Sequence, residues 1–167
     1  MGTGGVFLRK ARARVTDKPT GFLWVEKDRL AASGYPASRR QLEWVQKQGI
    51  DTVLTLTESP LPSGWTEGLQ MSFEHVPMRD HFPPSQESLE EAASIVQGEI
   101  QRSRKVLVHC LAGQGRTMCA VAAYMIREEG TSAQEVIAKL RSMRQGAVEA
   151  GQEKAVFDFA DAQRESE

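Results

Sequence analysis

Between residues 105 and 130 an apolar run rich in β-branched residues, 105–109 (KVLVH), passes through a turn carrying Gly113 and Gly115 into helix-like residues 120–127, which Gly130 ends. Strand, loop and helix in that order restrict the chain to an α/β fold. Strands alternating with helices build a mainly parallel sheet covered on both faces, and ligands of such sheets sit beyond the carboxyl ends of the strands. The end of residues 105–109 is such a place.

The rest of the chain agrees with this. Residues 21–25 and 29–32 are short apolar runs about a polar Glu26–Asp28 turn, which suits a hairpin. Ser38 with Gln41 forms a capping-box signal for a helix carrying Leu42 and Val45, and Gly49 stops it. Residues 52–57 read as a buried strand, 60–64 as a loop, and 71–78 as another strand whose pairing Pro77 should end. Pro83 and Pro84 make residues 79–84 a loop, because they lack amide donors and restrict the residues before them. Ser85 caps a helix with Leu89, Ala92, Ala93, Val96 and Ile100 on one stripe. Ser132 with Glu135 opens a helix carrying Val136, Ile137, Leu140 and Met143, and a last helix carries Val156, Phe157 and Ala160.

No repeat or long linker divides the 167 residues, so a single domain over 21–164 is expected, with its central sheet flanked by helices. Residues 1–20 hold five basic side chains (Arg9, Lys10, Arg12, Arg14, Lys18) and one acid, Asp17, and read as a basic, flexible arm. Val6, Phe7 and Leu8 are too short an apolar stretch for a signal peptide or a membrane span, and Val6 stands where a myristoylation motif wants Ser or Thr. The net charge of −1 gives no global pull toward nucleic acid, and two cysteines with three histidines make neither a disulfide framework nor a structural zinc site.

The turn itself reads His109-Cys110-Leu111-Ala112-Gly113-Gln114-Gly115-Arg116-Thr117. Backbone amides converging from a tight loop, helped by a helix N-terminus, bind a phosphate dianion, and glycines permit the conformations that aim them inward. Arg116 can fork two phosphate oxygens with its planar guanidinium. A thiol in such surroundings should ionise below its free value, which makes Cys110 a nucleophile that needs no metal. Thr117 can donate to the sulfur as it leaves. The joint pattern His-Cys-x-x-Gly-x-x-Arg-Ser/Thr arises by chance in a chain this long only on the order of once in ten thousand or rarer.

These residues resemble the signature loop of the cysteine-dependent protein tyrosine phosphatases, specifically the small atypical dual-specificity type, and the similarity runs from about residue 21 to 159. The resemblance implies that an aspartate on a separate, proline-bearing loop protonates the leaving oxygen and then serves as base; Asp80 in Arg79-Asp80-His81-Phe82-Pro83-Pro84 matches it. His81 is a rival for acid and Arg79 a candidate for substrate contact. Gln152 matches the family's late-loop glutamine, which places the hydrolytic water. The cradle would be the amides of Leu111, Ala112, Gly113, Gln114, Gly115 and Arg116. The chain departs from the pattern at Met118, where the family has Gly, at Gln145, where it has Pro, and in a segment 146–152 one residue short and without the usual tyrosine.

The activity so implied is hydrolysis of phosphotyrosine, with phosphoserine or phosphothreonine, through a cysteinyl-phosphate, with no cofactor and a phosphorylated protein or peptide as partner. The alternatives are a phosphoinositide or RNA 5′-phosphate phosphatase, which the uncharged Leu111, Ala112 and Gln114 disfavour, and a phosphate-binding pseudophosphatase. His109 is expected to orient the loop through its ring, Cys119 to be a small buried residue, and Trp24, Trp44 and Trp65 to belong to the core or pocket rim. A reducing, cytoplasmic setting and a monomer are the matching expectations.

Overall fold

The computed structural model describes residues 17–167. Five strands, β1 (Leu23–Glu26), β2 (Leu30–Ser33), β3 (Thr52–Thr55), β4 (Ser72–His75) and β5 (Val106–His109), form one sheet in the order β1-β2-β5-β3-β4. Only β1 and β2 pair antiparallel, as the hairpin; β2, β5, β3 and β4 are parallel. The helices are α1 (Arg39–Lys47), the one-turn α2 (Ser63–Thr66), α3 (Gln86–Gln101), α4 (Arg116–Glu129), α5 (Ala133–Met143) and α6 (Glu153–Glu165). The central strands bury every residue, so two cores form by simple alternation. Leu30, Ala32, Leu54, Val106 and Val108 face α3 to α6, whereas Ala31, Val53 and Leu107 face Leu42 and Val45 of α1.

Helix boundaries follow the capping chemistry. Ser38 Oγ accepts the Gln41 N–H, Ser85 Oγ accepts the Ser88 N–H, and Ser132 with Glu135 makes a reciprocal box. Gly130, at φ 63°, closes α4. Three expectations need correction. Residues 63 and 64, expected as loop, begin α2, whose Trp65 sits beside Tyr35. Strand β4 ends at His75, yet Val76 and Met78 still donate to Thr55 O and Leu56 O, so Pro77 interrupts the pairing without ending it. Met143 and Phe157, read as core positions, are exposed, because α5 and α6 pack on the rest of the molecule through narrower stripes.

Of the basic arm, Arg9, Lys10, Arg12 and Arg14 lie outside the described residues. Asp17 pairs with Arg40 at 2.6 Å, Lys18 approaches the rings of Phe22 and Trp44, and Thr20 O accepts the Gly34 N–H. Trp24 and Trp44 pack edge-on against Phe22 on the α1 face.

Candidate active site

Strand β5 ends at His109, and α4 begins at Arg116, leaving six residues to turn the chain over the carboxyl end of the sheet. The tightness of that turn demands glycine. Gly113 has φ 72°, and a Cβ there would stand 2.5 Å from the Ser33 carbonyl carbon. Gly115 admits Gln152: a Cβ would lie 2.7 Å from Gln152 Oε1 and 3.0 Å from Glu149 Oε1.

The loop's carbonyls are held outward by its surroundings. Leu111 O accepts the Tyr35 N–H at 2.9 Å, and Gln114 O accepts the Val148 N–H at 3.1 Å. In a trans peptide the following N–H points the opposite way, so the amides of Ala112 and Gly115 are turned from those tethers. Cys110 Sγ accepts the Gly113 N–H at 3.3 Å. No side chain caps α4, whose first amides and positive dipole end therefore stand available beside the cysteine.

His109 is fully buried. Its Nδ1 lies 3.2 Å from Cys110 O and its Nε2 2.7 Å from Thr55 Oγ1. The carbonyl can only accept, so Nδ1 carries the proton and the Thr55 hydroxyl donates to Nε2. Burial, with smaller contributions from the charges of Arg116 and His75, pushes the imidazole down to about 4 against the opposing Cys110 hydrogen bond. His109 is thus a neutral strut between β3 and the loop, with Tyr35 edge-on to its ring.

Arg116 is only 2% exposed, and its guanidinium collects partners from distant segments. Nη1 donates to Glu58 Oε1 at 2.6 Å and to Met78 O at 3.0 Å, and Nη2 lies 3.1 Å from Asp80 Oδ1. Glu58 Oε1 also accepts the Asp80 N–H at 3.0 Å, so one carboxylate ties arginine and aspartate together. Arg116 Nε and Thr117 Oγ1 are buried with no protein partner. At the Cys110 sulfur itself the donor present is the Gly113 N–H. Two unpaired buried donors cost about 1–3 kcal/mol each, an expense found where a ligand supplies the missing acceptors.

The loop after Asp80 meets the late loop at two points. His81, at φ 61°, places its ring 3.5 Å from Asp80 Oδ2 and 3.3 Å from Glu149 Oε2, and Phe82 O accepts from Gln152 Nε2 at 3.3 Å. Arg79 stacks on Phe82 at 3.8 Å. Gln152 is buried, its Oε1 accepting the Glu149 N–H. The departures noted in sequence are absorbed locally. Met118 is buried in the main core, and Arg141 holds the carbonyls of Ala147 and Val148 across the short segment.

Cys119 Sγ lies 3.7 Å from Gln152 Oε1, and burial above all, with Cys110 and Glu149, pushes its thiol up to about 12. It packs as a small, fully buried residue of the main core. Sequence reasoning did not single out Glu58, Glu149 or Arg144 as site residues. Glu58 was the most findable of these, because it follows β3, the neighbour of β5, in the crevice where parallel sheets bind ligands.

Among the described residues, no group of three or more His, Cys, Asp or Glu is arranged to hold a metal ion, and no helix is long and apolar enough to cross a membrane. The chain is similar to the phosphatidylglycerophosphate phosphatase PTPMT2 of Arabidopsis thaliana, 26% identical over 82% of this chain and 62% of that protein. It also resembles the dual specificity protein phosphatase Mpk3 of Drosophila melanogaster, 31% identical over 61% of this chain and 25% of that protein. It therefore spans about three fifths or less of these relatives' lengths. Among solved structures, Tk-PTP in its active form superposes with a TM-score of 0.76 at 28% identity, covering 84% of this chain and 96% of that one. PTPMT1 in complex with PI(5)P shares the fold, with a TM-score of 0.76 at 17% identity, covering 87% and 97%. Residues 19–157 match the profile described as the DSP-PTPase phosphatase domain of the Swiss Army Knife proteins, PTP-SAK, and the chain belongs to that family.

Proposed function

We propose that the domain hydrolyses phosphate monoesters in two steps at Cys110. The sulfur attacks phosphorus, the Sγ–P bond forms as the P–O bond to the leaving group breaks, and Asp80 gives that oxygen its proton. Asp80 then takes a proton from water as the water oxygen attacks phosphorus, and the Sγ–P bond breaks to release phosphate and thiolate. Arg116 Nε and the loop amides bind the phosphoryl oxygens, Thr117 donates to the departing sulfur, and Gln152 places the water.

The observation that carries this is the pairing of Arg116, in the loop that Cys110 opens, with Asp80 from a separate loop, beside two buried donors, Arg116 Nε and Thr117 Oγ1, that have no protein acceptor. The substrate we infer is a phosphotyrosyl protein, with phosphoserine and phosphothreonine as poorer ones, in a reducing, cytoplasmic setting. Leu111, 60% exposed beside the nucleophile, and Phe82, 48% exposed near the acid, offer apolar contact to an aromatic leaving group. The cradle adds no basic side chain at Leu111, Ala112 or Gln114 for further phosphates. A lipid phosphomonoester is the second reading, favoured by the similarity to PTPMT2.

Cys110→Ser tests the mechanism. It should abolish turnover of p-nitrophenyl phosphate while inorganic phosphate still binds, and unchanged turnover overturns it. Wild-type rates on phosphotyrosyl and phosphoseryl peptides, phosphatidylglycerophosphate, a phosphoinositide and an RNA 5′-phosphate then rank the substrates. A lipid ranking first would overturn the protein assignment and leave the chemistry intact.

A further inference from the structure

One cation beside the cradle has no place in the mechanism above. Arg144 follows α5, with its own N–H bonded to Leu140 O at 2.9 Å, and projects its guanidinium beneath the phosphate loop. Nη1 donates to Gly113 O at 2.6 Å, and Nη2 donates to Gly21 O at the start of the hairpin. Its bonds among the described residues are to carbonyls, with no ion pair to a carboxylate, so its charge is not neutralised locally as that of Arg116 is by Glu58 and Asp80. Its burial lowers the proton affinity of the guanidinium.

The position of the contact matters as much as the charge. Gly113 is the residue whose N–H donates to Cys110 Sγ and whose φ of 72° no side-chain-bearing residue adopts without strain. A glycine in so open a conformation does not by itself fix the next peptide plane. The bond from Arg144 fixes it. With Gly113 O pinned toward Arg144, the Gln114 N–H of the same trans peptide is turned the opposite way, toward the cradle. Tyr35 and Val148 do the same for the neighbouring carbonyls with backbone amides. Arg144 is the one side chain in this set of three tethers, and the one that brings charge.

We propose that Arg144 is a positioning residue of the phosphate cradle, which aims the Gln114 amide by anchoring the Gly113 carbonyl and holds a second fixed positive charge behind the first. This rests on residues 110–116 being the phosphate site.

The test compares Arg144→Met and Arg144→Lys with wild type, using inhibition by inorganic phosphate and orthovanadate, kcat and KM for p-nitrophenyl phosphate, and thermal melting. The Met variant should weaken inhibition by both oxyanions and lower kcat/KM, each by about 10–100-fold, as misaimed donors do. Guanidinium ion at millimolar concentration should restore part of the loss. Lys keeps the charge but cannot span Gly21 and Gly113, so it should fall between Met and wild type. Should the Met variant fail to fold, the Lys variant alone decides, by several-fold weaker phosphate inhibition at an unchanged circular dichroism spectrum. A purely structural tether would lower the melting temperature and leave oxyanion inhibition within twofold of wild type, and that result overturns the proposal. If Cys110→Ser is inactive and the Arg144 variants behave as wild type, only this inference fails; if Cys110→Ser is active, the reading of the site fails first.

Discussion

Arg116 Nη2 stands 3.1 Å from Asp80 Oδ1, an ion pair between residues 36 positions apart that the mechanism requires to do opposite things. In the proposed mechanism the arginine holds the phosphate dianion and the aspartate presents a proton. A phosphoryl oxygen that takes over the Nη2 edge would separate the two and leave the Asp80 carboxyl group to face the leaving oxygen. Glu58, 61% exposed, binds both through one oxygen.

Asp80→Asn should therefore lower kcat by about 100–1,000-fold for an alkyl phosphate, whose leaving oxygen must be protonated, and much less for p-nitrophenyl phosphate. The check is the dependence of kcat on leaving-group pKa, which should steepen in the variant. Parallel dependences in the two proteins would remove Asp80 from the acid role and bring His81 forward.

Thr117→Ala should change stability by less than about 1 kcal/mol, since the buried hydroxyl has no protein bond to lose and relief of its unpaired-donor penalty offsets the packing lost with the methyl group. The expected defect is kinetic. Without a donor to the departing sulfur, hydrolysis of the cysteinyl-phosphate should slow by about 10–100-fold and a burst of the first product should appear in rapid-quench measurements. A linear time course with wild-type kcat refutes the role.

Gly113→Ala should cost about 3 kcal/mol, because the new methyl meets the Ser33 and Gly34 backbone at 2.5–2.7 Å on top of the left-handed φ. Thermal melting reads the loss directly. A variant as stable as wild type would mean that the loop has another accessible path.

The His109 imidazole, pushed down to about 4, binds no proton in the folded protein at pH values where the unfolded chain, with an ordinary value of 6.5, does. Its contribution to stability is complete above pH 6.5 and is lost as pH falls toward 4, by ~3 kcal/mol in total. Imidazole resonances followed by NMR should show His109 unprotonated down to about pH 4. A midpoint near 6.5 would contradict the buried strut.

Much of this was legible before any tertiary contact was known. Ser38, Ser85 and Ser132 announce helix starts because a hydroxyl three residues from a free amide acts locally, and Gly130 announces an end for the same reason. The Cys110–Arg116 loop could be read because its glycines and arginine answer needs within seven consecutive residues. Phe157 and Met143 were misread because an apolar side chain on a helix carries no information about whether a neighbouring element covers it.

The sequence by itself determined the alternation of strands and helices, the parallel sheet that follows from it, and a tight turn suited to an anion at the end of one strand. These rest on interactions a few residues long. Only the tertiary structure decided what stands around that turn: Asp80 and Glu58 on Arg116, Thr55 behind His109, Gln152 against Gly115 and Arg144 on the Gly113 carbonyl. Those partners are charged or polar side chains of types common throughout the chain. What each one does depends on which group the folding of the sheet brings against it.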